Sequence, residues 1–481
     1  MTTLSWLILG MTVGYLLVSL ALGWWSSSKA ENTADDYFLA NRAIGPVVLF
    51  FTLIATNFSA FFFLGFAGMG YRVGYSFYGI MSLGTAFVGL SFYVIGHKAW
   101  VISQKHTLIT PSELIEQQLP NRALKLTYLT VMVVFTMPYL ALQPIGVGYL
   151  LQRLTNGQVP YFLGALLLTI CVVVYVFIGG MRSVAWTDVL QGVMMLLCMF
   201  LAVWFITQQL GGMTEANAKV AKLKPELFSR QGTKGFFTPK IWFSLMILWF
   251  LSVPMFPHMM MRFFTPKKVR SLKISAITYP LVTMSLFLCP IVIGVLGHLA
   301  FPDIMSKKVS DQILPMMLMK FSPEWLTAFV MLGALAAMMS TLDSQLLALS
   351  TMLTRDVYLG IFRKDADVQQ QVKVGRFLII LLAVGGLAIA YSPPATIFQI
   401  AKAAFTGLAV LFPTTLAALY WSKTHPLSCL LSILVGEALV LLVYFGGVKS
   451  WTMGFAPVIP IVALAFVIIG IGSLLLPARQ D

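Results

Sequence analysis

Four oxygen-bearing side chains, Ser340, Thr341, Asp343 and Ser344, stand within one apolar run, AAMMSTLDSQLLALSTMLTRDVY at 336–358. Residues three and four apart on a helix share a face, so Ser340, Asp343 and Ser344 present oxygens one turn apart. Hydrocarbon cannot satisfy hydroxyls or a carboxylate. Such groups persist inside a bilayer where they face a partner, often an ion or a substrate. Ligands made only of oxygen suit a hard cation such as Na+ far better than a soft metal. That chemistry points to ion-coupled transport.

The elements that must carry these groups follow from composition. The chain has 481 residues, of which 59% are hydrophobic and 10% charged, and its mean hydropathy is +0.87. A soluble domain carries about 25% charge, so this is a polytopic membrane protein. Apolar stretches of ~20 residues, enough to cross a bilayer, recur about thirteen times. They lie near 4–25, 46–70, 74–97, 124–153, 159–180, 184–207, 240–258, 274–300, 322–352, 374–392, 395–420, 427–447 and 453–476. No soluble domain remains between them. The longest loop, Gln208–Lys240, is too short and too polar to bury a core. The Phe301–Pro323 loop carries an amphipathic stretch expected to lie as a short helix on the outer surface.

The net charge of +15 comes from basic residues spread between apolar runs. No basic cluster interleaves with exposed aromatics, so these Lys and Arg read as topology signals and not as a nucleic-acid surface. The first apolar run has no positive charge before it; Lys29 follows it, which favours an uncleaved helix with its N-terminus outside. In that orientation nineteen of the 32 basic residues, from Lys29 through Arg262 to Arg479, fall on the cytoplasmic side. Twelve fall opposite, six of them in the one long loop, where the rule is weak. The expected topology is N-terminus out, C-terminus in. Cys171, Cys198, Cys289 and Cys429 all lie inside apolar segments without CxxC spacing and read as small buried hydrophobes.

Of the acidic residues, only Asp188, Asp343 and Glu437 fall inside spans, apart from Glu324 at the very start of the ninth. A carboxylate there costs about 2.5–3.5 kcal/mol on insertion scales, so each asks for a reason. Asp188 lies near the cytoplasmic end of its span, in RSVAWTDVLQG. It reads either as an interfacial cap bonded to Thr187 or as a cation ligand acting with Asp343. Glu437 has no motif around it, and a helix–helix hydrogen bond is expected there.

Two spans look broken. The second holds a polar knot at mid-depth, Ala55–Thr56–Asn57–Phe58–Ser59, followed by Gly65, Gly68 and Gly70. Taken alone, the knot suits either an unwound helix whose carbonyls bind a cation or a tight helix crossing. The seventh span is interrupted by Ser252–Val253–Pro254–Met255–Phe256–Pro257–His258, whose two prolines free backbone carbonyls. The breaks are five spans apart, which is the pattern of a binding site between two inverted repeats. The halves match by position, without clear sequence identity.

These residues together resemble the sodium:solute symporter family, which includes proline, pantothenate, monocarboxylate, sialic acid and sodium–glucose cotransporters. Four segments carry the resemblance: DYFLANRAIG (Asp36–Gly45), ATNFSA (Ala55–Ala60), GGMRSVAWTDVLQG (Gly179–Gly192) and STLDSQLLALSTMLTRDVY (Ser340–Tyr358). They occur in family order and cover nearly the whole chain.

The resemblance implies an all-α fold of the LeuT-like type in a single transmembrane domain, 1–481. Five-plus-five inverted repeats would occupy 46–207 and 240–420, with extra helices at 4–25 and 427–476. Na+ is the implied coupling ion. Its main site would use the carbonyls of Ala55, Phe58 and Ala337 and the hydroxyls of Ser340 and Thr341. Some members have a second ion site, which here would draw on Asp188, Ser340, Asp343 and Ser344. Asp343 stands where some of those members have serine, so an anionic ligand would strengthen Na+ binding or let a proton substitute.

Substrate contacts are expected between the two breaks, from Asn57, Ser59, Phe62, Tyr139, Gln143, Phe256 and Lys402. The ring of Asn, Gln and Glu that sugar-binding members use is absent. A small monocarboxylate or other organic anion is therefore the leading expectation, and an amino acid the next. Lys402, in FQIAKAAFTG, either pairs with a substrate carboxylate or snorkels to the outer interface. The expected partners are a small solute and membrane lipids, with neither nucleic acid nor an obligatory protein. The implied location is the plasma membrane, in a bacterium the inner one. Rival readings are a proton-coupled symporter of the same fold and a solute sensor. An enzyme is not expected, since the five histidines form no HExxH or paired-ligand spacing.

Overall fold

The computed structural model describes residues 3–28, 33–304, 306–444, 446–448 and 450–476. Lys29, Lys449 and Arg479, counted above as topology signals, lie outside them. Among the described residues there is no strand, and one isolated bridge pairs Ile44 with Pro266. Ten helices are long and apolar enough to span a bilayer, from Thr3–Ser26 to Val458–Leu475. The second expected span is a broken pair, Pro46–Asn57 and Phe61–Val73, bent by 58°. The seventh is the shorter apolar helix Pro239–Met255, which resumes as Pro257–Arg262.

The fifth and sixth spans come as one 49-residue helix, Tyr161–Gln209, interrupted only at Gly180 (φ 53°, ψ −144°). No loop joins them, and a Cβ at Gly180 would run into the Tyr37 carbonyl. Only glycine adopts that backbone at low cost. Gly180→Ala is expected to destabilise the protein by on the order of 1–3 kcal/mol. An unchanged thermal midpoint in detergent would refute that.

Packing sorts the spans. The ninth, Glu324–Phe362, has 89% of its apolar window buried, whereas Thr3–Ser26, Val368–Tyr391, Pro426–Tyr444 and Val458–Leu475 have between 28% and 39%. The site-bearing helix is therefore the axis of the molecule, and the low-burial helices form its lipid-facing rim. Glu437 sits in that rim, and among the described residues neither of its carboxylate oxygens finds a hydrogen-bond partner. The helix–helix bond expected of it is not made.

Two segments between spans pack more deeply than their polarity suggests. In the Gln208–Lys240 loop, Val220, Leu227 and Phe237 are buried, and the Leu227 carbonyl accepts from Tyr75 N at 2.9 Å. In the Phe301–Pro323 loop the helix Ile313–Phe321 buries Ile313 to Leu318 instead of lying on the surface. Arg72, at the C-terminal end of span two, holds it by pairing with Asp311 at 2.7 Å and donating to the Lys307 carbonyl at 3.0 Å. Burial pushes the Asp311 carboxyl up, while the Arg72 guanidinium pulls it back.

Candidate functional site

Span two unwinds because its sequence supplies other partners for the freed backbone. Phe58 is extended (φ −92°, ψ 110°). Ala60 N donates to Gln143 Oε1 at 3.0 Å, and Phe61 N to Ser59 Oγ at 3.2 Å. Ser59 Oγ also lies 2.8 Å from Tyr139 OH, and Gln143 Nε2 donates to the Tyr139 carbonyl at 3.0 Å. Ser59 and Gln143, expected as substrate contacts, therefore brace the break. The Ala60 and Phe61 donors are thus satisfied, and the carbonyls on the other side of the break face span nine.

Those carbonyls meet span nine. Ser340 Oγ lies 2.8 Å from the Ala55 carbonyl oxygen and 3.0 Å from that of Ala337. Thr341 Oγ1 lies 3.1 Å from the Phe58 oxygen, 3.1 Å from Ala337 and 3.3 Å from Thr56. All five residues expected at the main site come together, and the Thr56 carbonyl joins them. Ala55, Phe58, Ala337, Ser340 and Thr341 are completely buried. The set is neutral, made only of oxygen and dry, which fits a monovalent hard cation. Among the described residues no group of His, Cys, Asp and Glu could hold a transition metal.

The second cluster is arranged differently from expectation. Asp188 bonds to Thr52 and pairs with Arg262 Nη2 at 3.3 Å. Its neighbour Thr187 bonds backward to the Ser183 and Val184 carbonyls instead, so the interfacial-cap reading of Asp188 fails. Arg262 Nη2 donates to Ser344 Oγ at 2.6 Å and Nε to Thr52 Oγ1 at 2.8 Å. Asp343 accepts from Tyr175 OH at 2.6 Å and from Ser344 Oγ at 3.1 Å. Ser340 turns to the first cluster.

Arg262 thus needs correcting: it is not a loop cation but a completely buried one. The break at Phe256 starts the short helix Pro257–Arg262, whose last residue reaches inward. The apolar setting MMMRFF around it was the available signal.

Beside the first cluster, Asn57, Phe61, Phe62, Phe66, Met81, Thr85, Tyr139, Trp249, Val253, Phe287 and Phe405 enclose a cavity of ≈ 20 Å³. That is room for about one water, so a solute enters only as the aromatic walls part. Asn57, Phe62 and Tyr139, read from sequence as solute contacts, are among the residues that line it. Phe256 stands behind, its ring 4.9 Å from Tyr139 and 4.8 Å from Phe405. Lys402 is not in the lining; it is half-buried on Ile397–Ala409, where its carbonyl accepts from Thr406 Oγ1 at 2.7 Å. Phe61 joins Trp249 and Phe405, both missed from sequence, in forming the wall, with Trp249 4.5 Å from Phe405.

The family model of the sodium:solute symporter family matches residues 37–436. The chain belongs to that family. The symporter is 27% identical over 468 residues to the sodium/pantothenate symporter of Escherichia coli K12, covering 96% of this chain and 95% of the relative. It is 28% identical over 464 residues to the sodium/proline symporter of Staphylococcus aureus, covering 92% and 87%. Its structure matches that of a Na+-coupled sialic acid symporter, solved substrate-bound and outward-open, with a TM-score of 0.84 at 18% identity over all of both chains. A nucleobase-cation-symport-1 family transporter in a closed conformation matches at 0.57 and 12% identity, over 92% and 96%. The fold is therefore LeuT-like, five-plus-five helices with flanking ones. The symporter is an integral multi-pass membrane protein, a transporter and not an enzyme, with Na+ as its coupling ion.

Proposed function

We propose that this symporter imports a small solute bearing a carboxylate, by alternating access, with Na+ bound by Ala55, Phe58, Ala337, Ser340 and Thr341. The observation that carries the reading is the buried oxygen cradle, in which the Ser340 and Thr341 hydroxyls face carbonyls freed by the span-two break. The solute sits in the adjoining cavity against Asn57, Phe62 and Tyr139. Pantothenate and proline, the solutes named for the two relatives, both carry a carboxylate. The aromatic walls suit a compact, partly apolar body, and Asn57, Thr85 and Tyr139 supply polar contacts. The two repeats run over 46–207 and 240–420, with the N-terminus outside and the C-terminus in the cytoplasm of a bacterial cell.

Energetics then depend on solute charge. One Na+ crossing 100 mV inward yields ~2.3 kcal/mol, and a tenfold gradient ~1.4 kcal/mol. A neutral solute is held at a few-hundred-fold accumulation, since each ~1.4 kcal/mol is tenfold. A monoanion travelling with one Na+ moves no net charge and reaches only about tenfold.

The test is thermal stability of the purified protein against pantothenate, proline, lactate and glucose, in Na+ and in K+ at equal ionic strength. A solute at a hundredfold excess over its Kd adds about 2.7 kcal/mol. A carboxylate should stabilise only in Na+. Equal stabilisation in K+, or stabilisation by glucose alone, would refute the proposal.

A further inference from the structure

We propose that the Arg262 guanidinium is a resident cation standing where a second coupling ion would bind, so that one Na+ accompanies each solute. The inference rests on the Ser340–Thr341 cradle holding the transported ion. Its own ground is the second cluster. Asp188, Ser344, Thr52 and Thr56 are completely buried and converge from spans two, six and nine on one point. The point is filled by Arg262, which donates to Ser344 Oγ at 2.6 Å, Thr52 Oγ1 at 2.8 Å and Asp188 Oδ2 at 3.3 Å, and reaches Thr56 Oγ1 at 3.4 Å.

A guanidinium is charged at every accessible pH and binds oxygen through several donors in a fixed fork. It meets the demand for positive charge that buried Asp188 creates. A mobile ion entering the same oxygens would face that charge at contact distance, with little water to screen it. Asp188 Oδ1 has no hydrogen-bond partner among the described residues. Were the guanidinium removed, both carboxylate oxygens and three hydroxyls would remain as an oxygen set for a hard cation. The arginine therefore sets stoichiometry as a positioning residue and does not touch the solute.

The experiment is equilibrium binding of radioactive Na+ to purified protein, counting ions per chain, with the charge moved per solute measured in proteoliposomes. Wild type is expected to bind one Na+, Arg262→Ala two, and Arg262→Lys one. The Na+ dependence of uptake should steepen from a Hill coefficient near one to near two in Arg262→Ala. Arg262→Lys guards against a misfolded alanine variant, because it keeps the buried positive charge beside Asp188, and the thermal midpoint of each variant in K+ shows whether it is folded. Two ions in wild type, one in a folded Arg262→Ala, or two in Arg262→Lys would overturn the resident-cation assignment alone. No bound Na+ in wild type would overturn the cradle itself, and this proposal with it.

Discussion

Ser340→Ala and Thr341→Ala each raise the Na+ concentration for half-maximal uptake by about tenfold to a hundredfold, while expression and thermal stability in K+ stay near wild type. Each hydroxyl is an oxygen on a dry, neutral site. A hydrogen-bond-like contact to a charged partner is worth ~1.5–3 kcal/mol, and each ~1.4 kcal/mol is tenfold. The fold should survive, because Ser340 and Thr341 both donate to the Ala337 carbonyl, so one hydroxyl stays on it when the other is removed. Thr341→Ser is the informative control: it keeps the oxygen near the Phe58 and Ala337 carbonyls and should retain most of the Na+ affinity. Uptake measured across a Na+ titration decides it. Unchanged Na+ dependence in both alanine variants would remove the cradle as the ion site.

How much of this was legible in the sequence depended on whether a residue had an alternative explanation. Ser340 and Thr341 were readable because hydroxyls in an apolar run have no water to face, and Ala55 to Ser59 because a polar knot at mid-depth interrupts a long span. The spans themselves followed from length alone. Arg262 was not readable, because an arginine five residues before Lys267 looks like one more loop cation. Only the Phe256 break, which starts a new helix at Pro257, turns it inward. The cavity wall was hidden for another reason. Phe66, Phe287 and Phe405 are three of 36 phenylalanines, and nothing local separates a wall aromatic from a packing one. Ser59 and Gln143 were read as solute contacts, and in the structure their side chains bond within the break. A broken helix needs its own donors satisfied before it can offer carbonyls to a ligand, and those two side chains do that.

Asn57→Ala weakens solute binding by about tenfold to a hundredfold yet leaves Na+ affinity in the absence of solute within about twofold. Asn57 lies between Thr56 and Phe58, whose carbonyls approach Thr341 Oγ1 at 3.3 Å and 3.1 Å, and its side chain lines the cavity. Its amide donates to Tyr279 OH at 2.6 Å, so it is held facing inward. With the ion and solute placed as proposed, both act on one short unwound segment from opposite sides. Whichever binds first fixes the backbone the other needs, and the second does not meet that ordering cost again. The coupling is reciprocal: the factor by which Na+ tightens solute binding equals the factor by which solute tightens Na+. In wild type that factor should lie in the range of about 5–150, and in Asn57→Ala it should fall towards one. Tyr279→Phe separates the roles, because it frees the amide without removing it and should cost less than the alanine variant. Calorimetric titrations of each ligand with and without the other give all four constants. If Asn57→Ala weakens Na+ alone as much as solute, the residue shapes the cradle and not the cavity. If coupling persists at full strength, the two ligands communicate by another route, and the shared break does not explain symport.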